Sequence, residues 1–107
     1  VPGFRDTLLS SDGRKIEPVE TPAGLTHVRT MTAGEKDEFD RQASKDGKFR
    51  CRLVLVCCCT PDGHAEFTNL DLPALDAMPV ATLEPIVNAA MRINHLMPED
   101  VDELRKK

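Results

Sequence analysis

Cys57, Cys58 and Cys59 stand in a row, with Cys51 shortly before them and His64 shortly after, a set that invites a metal or thiol reading. Zinc sites space paired thiolates two to four residues apart so that both converge on one ion. A CCC triplet instead throws its side chains apart on either a helix or a strand. If the stretch is helical, Cys51 and Cys58 share a face but sit about 10 Å apart along the axis, beyond the reach of a disulfide. No C-x-x-C motif is present. The four thiols are therefore read as reduced, small hydrophobes of a core element, with no metal and no cofactor expected. His27, His64 and His95 are scattered, without a nucleophile elbow or paired carboxylates beside them. Gly-rich phosphate loops are missing. Glu99, Asp100, Asp102 and Glu103 lack calcium-loop spacing and read as acids at a helix start. The expectation is a protein with no catalytic residues, hence not an enzyme.

Around those residues the chain gives a series of short elements. Phe4, Leu8 and Leu9 could face inward from a helical turn, followed by a turn cluster at Ser10-Ser11-Asp12-Gly13. Residues 16–20 and 25–30 read as two strands around Pro22-Ala23-Gly24, with Pro18 confining the first to a sheet edge. Thr32-Ala33-Gly34-Glu35 fits a capping box, with acidic residues in the opening turns and Asp46-Gly47 at the close. Residues 48–59 alternate with period two, which suits a strand, yet a buried helix of that length fits nearly as well. Thr68 or Asn69 can cap a brief helical turn through Leu75.

The strongest helix signal lies at 79–97, with Thr82 as N-cap ahead of Pro85. At 100° per residue, Val80, Leu83, Ile86, Val87, Ala90, Met91, Ile93 and Met97 fall within an arc of about 160°, interrupted only by Asn94. That is wider than the roughly 100° stripe a surface helix buries. One edge is expected to be left over for a ligand helix. Leu83, Val87, Met91 and Met97 are the candidate partner-binding residues, with Met78 adding a further adaptable thioether and Glu84 and Glu99 on the rim to steer a basic partner. Pro98-Glu99-Asp100 then opens a short helix that ends at Arg105-Lys106-Lys107.

Composition narrows the partners. Fourteen Lys+Arg against 18 Asp+Glu give a net charge of −4 and a pI near 5.3, which argues against a nucleic-acid partner. Four Phe with no Trp or Tyr leave few platforms for stacking bases. The longest apolar run, residues 53–59, is far short of the about 20 needed to cross a bilayer, so no membrane partner is expected. The start at Val1 shows neither a basic region nor an apolar signal core. Together with the clustered thiols, this suggests a cytosolic chain.

The order of the motifs carries a resemblance. Val28-Arg29-Thr30-Met31-Thr32-Ala33-Gly34-Glu35-Lys36-Asp37-Glu38-Phe39 resembles the V-R-x-L-T-A-G-E-R-D-x-F-E stretch of tail assembly chaperones of long-tailed, siphovirus-type bacteriophages and prophages. Phe49-Arg50-Cys51-Arg52-Leu53-Val54, then Pro61-Asp62-Gly63 and Phe67-Thr68, continue it. Arg92-Ile93-Asn94-His95-Leu96-Met97-Pro98-Glu99-Asp100-Val101 is similar to the family's R-L-N-G-L-S-P-E-D-V ending. The likeness covers roughly residues 4–105. Two departures stand out: Met97 replaces a Ser cap, and Pro85 interrupts the start of the long helix.

The resemblance tilts residues 48–59 toward helix. It implies a mainly α, small single-domain helical fold (1–107) with a short N-terminal β-hairpin: 1–31 turn and hairpin, 32–107 helical. It also implies a chaperone that binds the tape measure protein and keeps it soluble during tail tube assembly, in the host bacterial cytoplasm and absent from the mature virion. In that family a longer frameshifted product often arises near the end of the first reading frame, and Arg105-Lys106-Lys107 suit an A-rich slippery message. Through it the tail tube protein would become a second partner. Two alternatives stay open, a small cysteine-centred metal-binding or redox protein and a structural tail or head–tail connector subunit. Homo-oligomerisation is compatible with either picture.

Overall fold

The computed structural model describes residues 3–10 and 13–96. In chain order come α1 (Phe4–Ser10), β1 (Ile16–Thr21), β2 (Gly24–Arg29), α2 (Ala33–Asp46), α3 (Phe49–Cys57) and β3 (Cys58–Cys59). A 3-10 turn (Asn69–Asp71), α4 (Leu72–Asp76) and α5 (Val80–Ile93) follow. Helix dominates the regular structure. The sheet, however, has three antiparallel strands in the order β1-β2-β3, so the fold is mixed α/β and goes beyond a helical body with a hairpin.

The hairpin forms as its turn residues dictate. Thr21 pairs with Gly24 across Pro22-Ala23, and Gly24 takes φ 125°, open to glycine alone without strain. Thr30 N–H donates to the Lys15 carbonyl at 3.0 Å, which fixes the phase of the ladder: in β1, residues 17, 19 and 21 bond toward β2, while 16, 18 and 20 point outward. Pro18 thus sits where its missing N–H has no ladder partner to lose. On the other side of β2, His27 and Val28 pair with Cys59 and Cys58. The last two cysteines of the ambiguous 48–59 stretch are therefore strand, and the preceding nine residues are helix.

Val19, Val28 and Cys58 point to one face of this sheet, where α5 and α3 cover them. Leu53, Val54 and Cys57 of α3 and Ala90 of α5 are buried in the same core. Phe39 of α2 closes it, with its ring edge-on to Phe49 at 5.3 Å between centroids and 67° between planes.

The α2 ends match the sequence. Thr32 Oγ1 accepts from Glu35 N–H at 3.2 Å, and Glu35 Oε1 accepts from Thr32 N–H at 3.0 Å. Gly47, at φ 70°, closes the helix by donating to the Ala43 carbonyl. Thr32→Ala is expected to lower stability by about 1 kcal/mol, read by urea unfolding; an unchanged midpoint would show that the cap contributes nothing. Glu35 does more than cap. Its carboxylate also takes Arg14 at 2.5 Å and lies 3.7 Å from Arg29, joining the hairpin to α2. Burial by itself would raise the Glu35 carboxyl, but the Thr32 N–H and the two guanidinium groups outweigh it and hold it below the usual range. Its folded pKa lies below its unfolded one. This stabilisation is therefore present above the unfolded value of 4.5 and is lost as pH falls through the folded one.

Three expectations are corrected. First, α1 forms, yet it buries none of its side chains: Phe4, Leu8 and Leu9 face outward. Second, α5 starts from Pro79 as N-cap, not Thr82. A bond from Thr82 N–H to the Pro79 carbonyl (3.1 Å) ties the first turn, and Pro85 is accommodated inside the helix. Third, α5 ends at Ile93, because Asn94 turns its side chain back. Asn94 Nδ2 donates to the Ala90 carbonyl at 3.0 Å, and its Oδ1 accepts from Met31 N–H at 2.8 Å. Met97 and the short helix expected after Pro98 lie outside the described residues.

Candidate functional site

An open apolar groove of about 300 Å³ lies between the hairpin tip, α3, α4 and the start of α5. Its construction follows from the elements. Thr26 and Cys58 come from the core face of the sheet, their side chains 3.3 Å apart. Val54 of α3, Phe67, Leu75 of α4 and Leu83 and Ile86 of α5 complete the apolar lining. Leu25 and Met78, 61% and 41% exposed, form its lip. Beyond Met78 a second depression of about 260 Å³ opens, where Phe49 and Val80 are also exposed. The two depressions share Leu75, Met78 and Leu83 in their linings, with Leu25, Met78, Val80 and Phe49 exposed around them, and an apolar surface of this kind is a candidate docking site.

The four partner-binding candidates fare differently. Leu83 lines the groove, with 5% of its surface exposed. Val87, at 3%, belongs to the core and is no surface residue. Met91 is half-buried and packs against the core. Met97 lies outside the described residues. Along the described part of the α5 stripe, the core buries Leu83, Ile86, Val87, Ala89 and Ala90, while Val80 at its start is exposed and Met91 and Ile93 near its end are half-buried. Glu84 is not a bare rim charge either, since Arg50 lies 3.4 Å from it. Glu99 falls outside the described residues. Leu25, Phe67 and Leu75, which the sequence did not single out as a surface, complete the groove with Met78. Leu25, an apolar residue next to a tight turn, was the available signal.

The thiols are all free and buried, and three of them face different polar neighbours. Cys51 donates to Asp76 at 3.9 Å, Cys57 accepts from Asn94 at 3.6 Å, and Cys58 faces Thr26. Among the described residues, no group of three or more His, Cys, Asp or Glu is placed to hold a metal. Burial pushes the Cys57 thiol up to about 12, and it is also the main cause that raises Cys51, Cys58 and Cys59. A thiol held protonated is a poor nucleophile. Reaction of the native protein with a disulfide reagent at pH 8 is expected to be about a hundredfold slower than in denaturant, where all four cysteines react. A fast stoichiometric reaction of the native chain would overturn this.

Among the described residues no helix is long and apolar enough to cross a membrane. Comparison with protein families, curated proteins and solved structures finds no match for the chain.

Proposed function

We propose that this protein is a non-enzymatic tail assembly chaperone of a long-tailed phage or prophage, which binds the tape measure protein through the apolar groove and keeps it soluble until the tail tube forms. The observation that carries the reading is the open groove with Leu25 and Met78 exposed at its lip, taken with the motif order described above. A long helical rod awaiting its tube exposes apolar stripes that aggregate unless covered. A groove lined by leucine, isoleucine and methionine accepts such a stripe as helix in groove, and methionine at the lip adapts to sequence variation along it. The excess of acidic residues adds repulsion between the complexes. In this role the chain works in the host bacterial cytoplasm and leaves before the virion matures. A longer frameshifted product would bring the tail tube protein alongside the rod.

Co-expression with the tape measure protein of the same locus tests the reading, scored by solubility and pull-down. The expected result is soluble partner with the native chain and insoluble partner with Leu25→Glu or Met78→Glu, each variant still unfolding cooperatively. Failure of the native chain to solubilise or capture the partner overturns the function. Equal activity of both folded variants overturns the surface.

A further inference from the structure

The charges around the two depressions are unequally answered. The groove lining contains one carboxylate, Asp71, and no Lys or Arg. Asp71 Oδ2 accepts from Thr68 N–H at 2.8 Å, which holds the carboxylate in place without neutralising it. Glu66 N–H donates to the Cys58 carbonyl at 3.2 Å, and Phe67 follows it in the lining. Burial raises the Cys58 thiol; Thr26 offsets part of this and the Glu66 charge adds to it, so that carboxylate acts within reach of the groove. Among the described residues, neither Asp71 nor Glu66 joins an ion pair. In the second depression, Lys48 lies 3.2 Å from Asp76 and Arg50 3.4 Å from Glu84, so both cations there are paired.

The sheet restricts what can enter. The free edge of β3 is taken, since Cys59 bridges Ala65 and Thr60 N–H donates to the His64 carbonyl at 2.8 Å. No strand can add there, and side chains must make the contact. Leu75, Met78 and Leu83 line both depressions, so an occupant can seat apolar side chains in each. A helix with an apolar stripe supplies such a row. We propose that the groove takes an amphipathic helix of another protein whose apolar stripe is flanked by Lys or Arg, with Glu66 and Asp71 meeting those cations. The assignment rests on the groove being the helix-binding site proposed above and adds the chemistry that the helix must carry. An uncharged flank would leave both carboxylates unanswered, and an acidic flank would set like charges against them.

Fluorescence anisotropy with the full chain tests this, using three labelled synthetic helical peptides that share one Leu/Ile stripe and carry Lys, Gln or Glu on both flanks. In about 0.1 M salt the Lys peptide is expected to bind about tenfold more tightly than the Gln peptide, about threefold for each of two exposed ion pairs. The Glu peptide is expected to bind more weakly than either. In about 1 M salt, where the screening length falls to about 3 Å, the Lys advantage is expected to drop below about threefold. Glu66→Gln combined with Asp71→Asn, which keeps an acceptor for Thr68 N–H, is expected to bring the Lys peptide down to the affinity of the Gln peptide. Asp37→Asn combined with Asp62→Asn changes net charge equally at residues that line neither depression, and is expected to keep the preference. Met78→Asn is expected to weaken the Lys and Gln peptides alike. Equal binding of these two peptides by the native chain overturns the charge selection and leaves the helix-binding groove standing. So does a preference that survives the Glu66 and Asp71 changes, or one lost equally in the Asp37 and Asp62 control. If no peptide binds, or Met78→Asn weakens none, both readings fall. Self-association of the native chain that Met78→Asn abolishes would make the occupant a second copy and overturn the proposal as well.

Discussion

Replacing Arg29 by methionine is expected to lower the unfolding free energy by about 3 kcal/mol, with the denaturant slope unchanged. Arg29 leaves β2 on the face opposite Val28, and its side chain is only 12% exposed. Its Nε donates to the Val56 carbonyl at 3.1 Å and its Nη1 to the Gly63 carbonyl at 2.8 Å. Val56 belongs to the last turn of α3, where the chain switches to strand and helix carbonyls lose their partners. A guanidinium fork can serve that carbonyl, the turn carbonyl and the Glu35 carboxylate at once; methionine serves none of them. Arg29→Lys is expected to recover less than half of the loss, since one ammonium cannot reproduce the fork. Urea unfolding at pH 7 measures both, and a loss below about 1 kcal/mol for the methionine variant would show that the two carbonyls find other donors.

Phe39→Ala is the second large effect, expected at about 3–5 kcal/mol. The ring is 3% exposed and lies where α2 crosses α3. Removing it opens a cavity and also deletes the edge-on contact with Phe49. A double-mutant cycle separates these contributions: Phe39→Leu, Phe49→Leu and the pair together are expected to give a coupling of about 1 kcal/mol. Coupling near zero would mean that the two rings only share a location. Because Phe39 holds α2 to the body and lies away from the groove, Phe39→Leu is expected to reduce stability while leaving partner capture by the folded fraction unchanged.

These residues show why parts of the fold were readable beforehand. The capping box of α2 is local chemistry, four consecutive residues whose types dictate the bonds they make, and both of its bonds form. The hairpin is equally local. The 48–59 stretch is not. Its period-two alternation comes from Arg50 and Arg52, which leave a helix to meet Glu84 and Asp46, while Cys51, Leu53, Val54 and Cys57 are buried within one arc of about 160° on α3. Arg50 falls inside that arc, and in only nine residues one such interruption blurs the helical period. Where the two-residue β3 begins was not legible, because it exists through pairing with His27 and Val28 some thirty residues earlier. The groove was half legible. Leu83 was found on the α5 stripe, but which part of a wide stripe stays open depends on where the hairpin tip and α4 come to rest.

Many residues that carry the family resemblance hold the structure together. Val28 and Phe39 are core, Arg29 and Glu35 bind the hairpin to the helices, and Asn94 ties the end of α5 to Met31. Within this chain those residues serve the scaffold more directly than the groove. The surface proposed here is built from Leu25, Met78 and their neighbours, most of which lie outside those motifs.

Pro18 has a consequence for how this protein can meet anything else. β1 is the outer strand, and the position where an incoming strand would seek a central N–H donor is occupied by a pyrrolidine ring. Open edges turn a folded protein into a template for fibrillar growth, in which each new chain adds a strand to the last. In the chaperone role proposed above, contact with an aggregation-prone partner would make such templating self-defeating. With the outer edge barred to main-chain pairing at its middle, recognition along that side of the molecule is left to side chains.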